Sequence, residues 1–187
     1  MSPSPLYPRY AEPHLIESLA DSPAVLIFGP RQCGKTTLAQ RVGKRLRYAY
    51  INFDDDVARA AAEADPTGFV GDLPNRVILD EVQRVPTLFA ALKTAIDRKR
   101  SPGRYILTGS ANVLLIPQLT DSLAGRLEML RLHPLAQCEL ERRQPKFLDI
   151  LFTGGFKTRI GERLAGKLIT RIVAGGYPAA LARPIER

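Results

Sequence analysis

The chain of 187 residues is long enough for one domain and part of a second, and its 45% hydrophobic content is that of a globular protein with a buried core rather than a disordered one. Only two cysteines are present, which excludes a disulfide framework, and the sequence shows neither a secretory leader pattern nor an apolar run of membrane-spanning length. These features predict a soluble, cytoplasmic protein with no membrane contact.

The net charge of +8 is unevenly distributed along the chain. Residues 142–187 contain 10 of the 27 Lys and Arg residues and 3 of the 19 Asp and Glu residues, a net charge of +7. The preceding residues are therefore almost neutral. This asymmetry predicts an anionic partner for the C-terminal segment, with an ordinary solvated surface as the alternative.

Short apolar runs alternate with amphipathic segments along most of the chain. The predicted helices are residues 13–19, 36–47, 57–64 and 87–100, and the predicted strands are residues 24–28, 48–53, 76–80, 104–108 and 127–132. Strands that alternate with helices predict a parallel sheet covered by helices on both faces.

The segment from Gly29 to Thr36 matches the phosphate-binding loop pattern G-x-x-x-x-G-K-[ST], between a predicted strand and a predicted helix. In that context backbone N–H groups and a helix N-terminus face a polyphosphate. Lys35 is expected to reach the β- and γ-phosphates, and the Thr36 hydroxyl to bind Mg²⁺. A chance glycine-rich turn is the alternative. The candidate nucleotide-binding residues are Gly29, Pro30, Arg31, Gln32, Cys33, Gly34, Lys35, Thr36 and Thr37.

Cys33 lies inside this loop, beside Lys35. Its thiol is either activated by that neighbouring charge or is a small group that fills space. We favour the second interpretation.

The third predicted strand ends in two acids, Asp80 and Glu81. An Asp in this position can hold Mg²⁺ through water, and the Glu beside it can orient and deprotonate an attacking water. One further strand and helix separate this strand from the phosphate-binding loop, which favours an ATPase over a nucleotide kinase or a GTPase. No guanine-selective N-K-x-D motif occurs in the chain.

Two hydroxyls and one arginine are candidates for contact with the reacting phosphate. Thr108 and Ser110 end the fourth predicted strand, where a hydroxyl can contact the γ-phosphate or the attacking water. We favour Ser110, and a polar turn is the alternative. Arg126 precedes the fifth predicted strand on a glycine-flanked turn. It either neutralises transition-state charge, in cis or from a neighbouring subunit, or forms a surface ion pair.

Together these motifs resemble those of a large prokaryotic family of AAA-superfamily P-loop ATPases that carry a C-terminal domain of unknown function. The resemblance rests on GPRQCGKTTL, YINFDD, LDEVQRVP, RYILTGSANVLL and DSLAGRLEMLRLHPLAQCEL. It implies an AAA-like α/β fold, the P-loop NTPase three-layer sandwich, with about five parallel strands in the order 5-1-4-3-2. It also implies Mg²⁺-dependent ATP hydrolysis.

The sequence predicts a P-loop ATPase domain in residues 1–140, followed by a basic helical linker and the start of a truncated C-terminal domain in residues 141–187. Arg159, Arg163, Lys167 and Arg171 recur at four-residue spacing and form one ridge of a helix. Because like charges at this spacing repel, an acidic neighbour would stabilise that helix. The ridge is either part of a linker or a contact for nucleic acid or an acidic protein.

We therefore predict an ATP-binding, Mg²⁺-dependent ATPase that couples hydrolysis to action on a partner or on nucleic acid, with a homo-oligomer as a candidate assembly. The alternative is a nucleotide-dependent switch or a binding-only fragment with little turnover. The predicted catalytic residues are Lys35, Glu81, Ser110 and Arg126, and the predicted metal ligands are Thr36 and Asp80.

Overall fold

The structure is a computed structural model that describes residues 6–115, 119, 123–154 and 165–182. It divides into two compact units. One spans Tyr10–His133, and the other combines the chain up to Arg9 with the chain from Pro134 onward. Of the helices in the described residues, none has the length and apolar character that crossing a membrane requires.

Five parallel strands form the sheet of the first unit, in the order β2-β3-β4-β1-β5. They are β1 Ala24–Gly29, β2 Ala49–Asn52, β3 Val77–Asp80, β4 Tyr105–Ser110 and β5 Leu127–Arg131. The predicted fold class and strand order are thus confirmed. Since all strands are parallel, their carboxyl ends lie at one edge of the sheet, where α/β proteins bind ligands.

Alternate side chains of the central strands enter two separate cores. In β1, Leu26 packs into one core, whereas Val25 and Ile27 pack into the other. Leu107 and Ile106 of β4 divide in the same way. Each Leu or Ile buried in this manner contributes about 1.5–3 kcal/mol. The two cores make the sheet the middle layer of three.

Helices cover both faces of the sheet. Those of the first unit whose bounds the structure describes are α1 Ala11–Asp21, α2 Lys35–Leu46, α3 Asp56–Ala64, α4 Pro66–Gly71 and α5 Leu88–Arg98. Leu15 of α1 and Leu38 of α2 pack into one core. Val70 of α4 and Leu92 of α5 pack into the other. Two short 3₁₀ helices, Val82–Arg84 and Ala111–Leu115, follow β3 and β4.

Helix α4 is not among the helices predicted from the sequence, because a proline after a helical segment usually marks its end. Pro66 instead begins α4, where a missing N–H costs nothing and the fixed φ angle suits a helix. The Asp65 side chain caps this helix by accepting a hydrogen bond of 2.9 Å from the Gly68 N–H.

The second unit contains four helices in its described residues, namely α6 Gln137–Leu140, α7 Phe147–Phe152, α8 Ala165–Ala174 and α9 Pro178–Leu181. Within it the Leu135 N–H donates a 2.7 Å hydrogen bond to the Gly176 carbonyl. Four large apolar side chains of α8 are each at least 52% exposed; they are Leu168, Ile169, Ile172 and Val173. The predicted division at residues 140 and 141 stays a prediction.

The predicted basic ridge is only partly described. Arg159 and Arg163, and the side chain of Lys167, lie outside the described residues. Arg171 on α8 forms an ion pair with Glu141, an acidic partner of the kind that the repeated positive charges require.

Candidate functional site

The phosphate-binding loop connects β1 to α2 at the carboxyl edge of the sheet. Gly34 caps α2 with φ 99°, a left-handed conformation that favours glycine. A Cβ atom on Gly29 would lie 2.1 Å from the Leu132 carbonyl oxygen, a backbone atom that cannot move aside cheaply. Both glycines of the motif therefore meet a steric requirement of the fold.

Lys35 lies within the loop rather than on its surface. Its side-chain Nζ donates hydrogen bonds to the carbonyl oxygens of Pro30, at 2.9 Å, and Gly29, at 3.3 Å, and the residue is only 5% exposed. Cys33 is fully buried, and its Sγ lies 3.4 Å from the Leu132 carbonyl oxygen. This packed position supports the space-filling interpretation of Cys33. Arg31, Gln32 and Thr37 are exposed, while Pro30 and Thr36 are partly buried.

Asp80 at the end of β3 accepts hydrogen bonds from three hydroxyls and is itself 3% exposed. The Thr36 Oγ1 atom lies 3.0 Å from each of its two carboxylate oxygens. The Tyr50 hydroxyl donates to Oδ2 at 2.8 Å, and the Thr108 hydroxyl donates to Oδ1. The structure therefore brings together the two predicted metal ligands, Thr36 and Asp80.

The oxygen atoms of this pair fit Mg²⁺. A hydroxyl and a carboxylate are hard oxygen ligands, and Mg²⁺ usually binds through one or two such groups together with phosphate oxygens and water. No cluster of three or more His, Cys, Asp or Glu side chains suited to a metal occurs in the described part of the chain. Thr36 and Asp80 are thus the described residues that could hold such an ion.

Tyr50 was missed by the sequence analysis. Its strand β2 lies beside β3, with Tyr50 paired to Ile78 and Asn52 paired to Asp80. Partial burial, together with the hydrogen bond to Asp80 and that residue's negative charge, raises the pKa of the Tyr50 phenol. The phenol is therefore a stable donor to Asp80. Only the register between the two strands could have identified it, and no motif encodes that register.

Glu81 follows Asp80 in a left-handed conformation, with φ 58° and ψ 45°. This conformation is costly for a residue other than glycine and is often found at functional sites. The Glu81 N–H donates a 3.1 Å hydrogen bond to the Thr108 hydroxyl, and the Glu81 carboxylate accepts one from the Gln83 amide. Thr108 thus links both acids, and Gln83 is a second residue that sequence reasoning missed.

The structure places Ser110 next to the loop, but not in the hydrogen-bond network of the acids. Ser110 pairs with Gly29 in the sheet, one strand away from Asp80. Of the two hydroxyls that end β4, Thr108 contacts Asp80. The role predicted for Ser110 at the γ-phosphate stays a prediction.

Arg126 lies at the amino-terminal ends of the strands, whereas the other predicted residues lie at the carboxyl edge of the sheet. The next residue, Leu127, pairs with Ala24 at the start of β1, so the length of β1, about 17 Å, separates Arg126 from the loop. Its guanidinium binds both oxygens of Asp97, at 2.5 and 3.0 Å. This hydrogen bond and charge lower the pKa of the Asp97 carboxyl. Arg126 is therefore not part of its own chain's site, and a role in a neighbouring subunit stays a prediction.

A family model described as an AAA domain matches residues 21–141. The chain belongs to this AAA family. The AAA protein described here is 39% identical over 127 residues to an uncharacterized protein of Mycobacterium tuberculosis, and equally to one of Mycobacterium bovis. Each alignment covers 68% of this chain but only 29% of the relative, so the chain spans less than a third of these relatives' length.

The fold of this AAA protein is similar to that of the ORC1 protein of Aeropyrum pernix, solved in complex with DNA. The TM-score is 0.54 at 19% identity, and the match covers 96% of this chain and 59% of that one. At this identity the likeness concerns the fold alone. The family match confirms the resemblance to AAA-superfamily P-loop ATPases and supports a nucleotide-binding, ATPase-like protein.

Proposed function

We propose that this AAA protein binds ATP with Mg²⁺ at the carboxyl edge of its sheet and hydrolyses the β–γ phosphoanhydride bond. One observation carries the proposal: the Thr36 hydroxyl, at the start of α2, lies 3.0 Å from both oxygens of Asp80, with Glu81 next in the chain. This geometry brings three groups together. They are a metal ligand from the loop, an acid for the metal's water shell and a second acid for the attacking water.

Each residue has a defined task in this mechanism. Lys35 neutralises negative charge on the β- and γ-phosphates, and the loop N–H groups hold their oxygens. Thr36 and, through water, Asp80 would hold Mg²⁺, which would supply positive charge to offset the negative charge of the phosphates. Glu81 accepts the proton of the attacking water as that water bonds to the γ-phosphorus atom, and the bond from this atom to the bridging oxygen breaks, with ADP as the leaving group.

Steady-state phosphate release from ATP and Mg²⁺, with and without DNA, tests this proposal. An ATPase that acts on nucleic acid should be stimulated by DNA. A nucleotide-dependent switch, which is the main alternative, should turn over slowly and without response. A protein that binds ATP but releases no phosphate would contradict the proposed hydrolysis and support the binding-only alternative.

The net charge of +7 in residues 142–187 supports an anionic partner for the hydrolysis cycle, either nucleic acid or an acidic protein. The DNA in the same assay tests the first of these. We also propose a homo-oligomer, because Arg126 lies far from its own chain's site. It can act in catalysis only if it enters the site of a neighbouring subunit. The cytoplasmic location remains a prediction.

A further inference from the structure

Gln83 contacts the residue that we propose as the general base. It lies two positions after Glu81, in the 3₁₀ helix Val82–Arg84, and its side-chain Nε2 donates a hydrogen bond to Oε2 of Glu81. Among the residues that the structure describes, none donates a hydrogen bond to the other carboxylate oxygen, Oε1. The two oxygens of this carboxylate are therefore not equivalent.

The surrounding fold holds the Gln83 side chain in place. Val82 and Val85 are fully buried on either side of it and anchor the 3₁₀ helix in the core. A Cβ atom on Gly109 would lie 3.0 Å from the Gln83 Oε1 atom, so the amide oxygen packs closely against β4. On the side that faces β4, Gly109 therefore limits where the amide can lie.

Gln83 does not improve the stability of the fold in an obvious way. Its Oε1 atom is buried and has no hydrogen-bond partner among the described residues. Burying a carbonyl without a partner costs free energy, and a methionine of similar length would fill this space without that cost. The remaining use of the amide is the hydrogen bond that its N–H forms with Glu81.

We propose that Gln83 is a positioning residue for hydrolysis, which fixes the Glu81 carboxylate so that Oε2 is bound and Oε1 can receive the proton of the attacking water. This inference rests on the proposed function. A free glutamate side chain samples many rotamers, and a base must lie within hydrogen-bond distance of its proton, so fixing the carboxylate raises the fraction of productive encounters.

The test compares Gln83→Met, which keeps the length of the side chain but removes the donor, with wild type and with Arg84→Met as a control in the same 3₁₀ helix. We expect kcat of Gln83→Met to fall by about tenfold to a hundredfold. The Kd for ATP should be unchanged. The Tm should be unchanged or higher, because the unpaired carbonyl is gone. Arg84→Met should keep the wild-type kcat.

A double-mutant cycle adds a readout that a purely structural role would not change. In the Glu81→Gln background, Gln83→Met should cause no further loss of kcat, because the group that it positions is absent. A further tenfold loss in that background would overturn the inference. A loss of kcat that follows a fall in Tm would also overturn it, since the role would then be structural.

The remaining outcomes separate this inference from the proposed function. No turnover by wild type would overturn the proposed function, and this inference with it. Turnover by wild type together with an equal or higher kcat for Gln83→Met would overturn this inference alone. A higher kcat would mean that the amide holds the base away from its water.

Discussion

Asp80 accepts hydrogen bonds from side chains of three different elements of the fold. Thr36 comes from α2, Tyr50 from β2 and Thr108 from β4, and all three hydroxyls meet the same carboxylate. Hydrogen bonds to a charged acceptor contribute more than those between neutral groups. The network therefore fixes the position of the Asp80 carboxylate at the end of β3.

At the scale of single residues, the first prediction is that one substitution weakens nucleotide binding and another slows turnover. Lys35→Ala removes the charge that meets the phosphates, which corresponds to about 1.5–3 kcal/mol and weakens ATP binding roughly tenfold to more than a hundredfold. Glu81→Gln keeps the shape of the side chain but removes the base, so kcat should fall about 10²- to 10⁴-fold while ATP still binds. Equilibrium nucleotide binding and phosphate release measure the two effects.

Thermal unfolding of both variants is the control, because Lys35 also donates hydrogen bonds to the carbonyl oxygens of Gly29 and Pro30. If Lys35→Ala has a wild-type Tm, its loss of ATP affinity comes from the lost contact with the phosphates. Wild-type turnover by Glu81→Gln would show that another residue is the base.

The site could be predicted from the sequence only where its residues are neighbours in the chain. Lys35 and Thr36 lie within one motif, and Asp80 and Glu81 lie within another, so local patterns identify them. Tyr50 reaches Asp80 only through the register of two strands, and Gln83 reaches Glu81 only through a turn in which Glu81 has a positive φ. Sequence periodicity carries no information on either feature.

At the scale of elements, the strands were predicted more completely than the helices. Buried parallel strands are continuous apolar runs, which end clearly at turns and charged residues. Helix α4 has only six residues, too few to show a helical period, and it begins with a proline, a residue that in a sequence usually indicates the end of a helix. Its start depends on capping by Asp65, a local hydrogen bond that the apolar pattern does not reveal.

The second prediction concerns the start of α3. The Asp55 side chain accepts hydrogen bonds from the N–H groups of Val57, at 2.8 Å, and Ala58, at 3.1 Å. Replacing an N-cap aspartate by alanine removes the partner of these N–H groups, so Asp55→Ala should lower the free energy of unfolding by about 1 kcal/mol. Urea denaturation with a constant m-value measures this change.

Glu63→Ala is a suitable control for the cap. Glu63 is exposed on the same helix and has no described hydrogen bond or ion pair, and alanine is a good helix former. We expect it to leave the free energy of unfolding nearly unchanged. Equal destabilisation by both variants would show that the cap contributes nothing of its own.

At the scale of the whole molecule, Arg126 is the residue whose role depends on assembly. It faces away from its own site, so any effect on hydrolysis must come from a neighbouring copy. The third prediction is that Arg126→Ala lowers kcat while its ATP affinity stays at the wild-type value. Mixing it with Glu81→Gln protein should then restore turnover, because the arginine of one variant completes the site of the other.

Asp97→Ala controls for the ion pair. It breaks the same contact with Arg126 but leaves the arginine in the protein. Normal turnover by Asp97→Ala together with slow turnover by Arg126→Ala would assign the effect to the arginine. Normal turnover by a stable Arg126→Ala protein would leave only the surface ion pair.

The fourth prediction concerns the basic C-terminal segment. If it contacts phosphate groups of DNA or RNA, the affinity of the wild-type protein should fall steeply as salt is raised, through counterion release. Reversing Arg163, Lys167 and Arg171 to glutamate should then abolish retention of nucleic acid at low salt without changing ATP binding. Filter binding at several salt concentrations measures the salt dependence of the wild-type protein and the loss of retention in the reversed variant.

The control for this reversal is Glu141→Gln, which breaks the ion pair of Arg171 without adding negative charge. It should bind nucleic acid at least as well as wild type. Equal binding by wild type and the reversed variant, or no binding by either, would support the linker interpretation of the segment.

The buried position of Cys33 gives the chain a built-in chemical probe of its phosphate-binding loop. Cys33 is buried and Cys138 is partly exposed. An alkylating reagent should therefore modify Cys138 quickly and Cys33 only when the loop opens. The rate at which Cys33 is modified, followed by mass spectrometry of the two labelled peptides, reports how often the loop opens. Saturating ATP should slow it further, and Cys138 provides the internal reference for reagent strength.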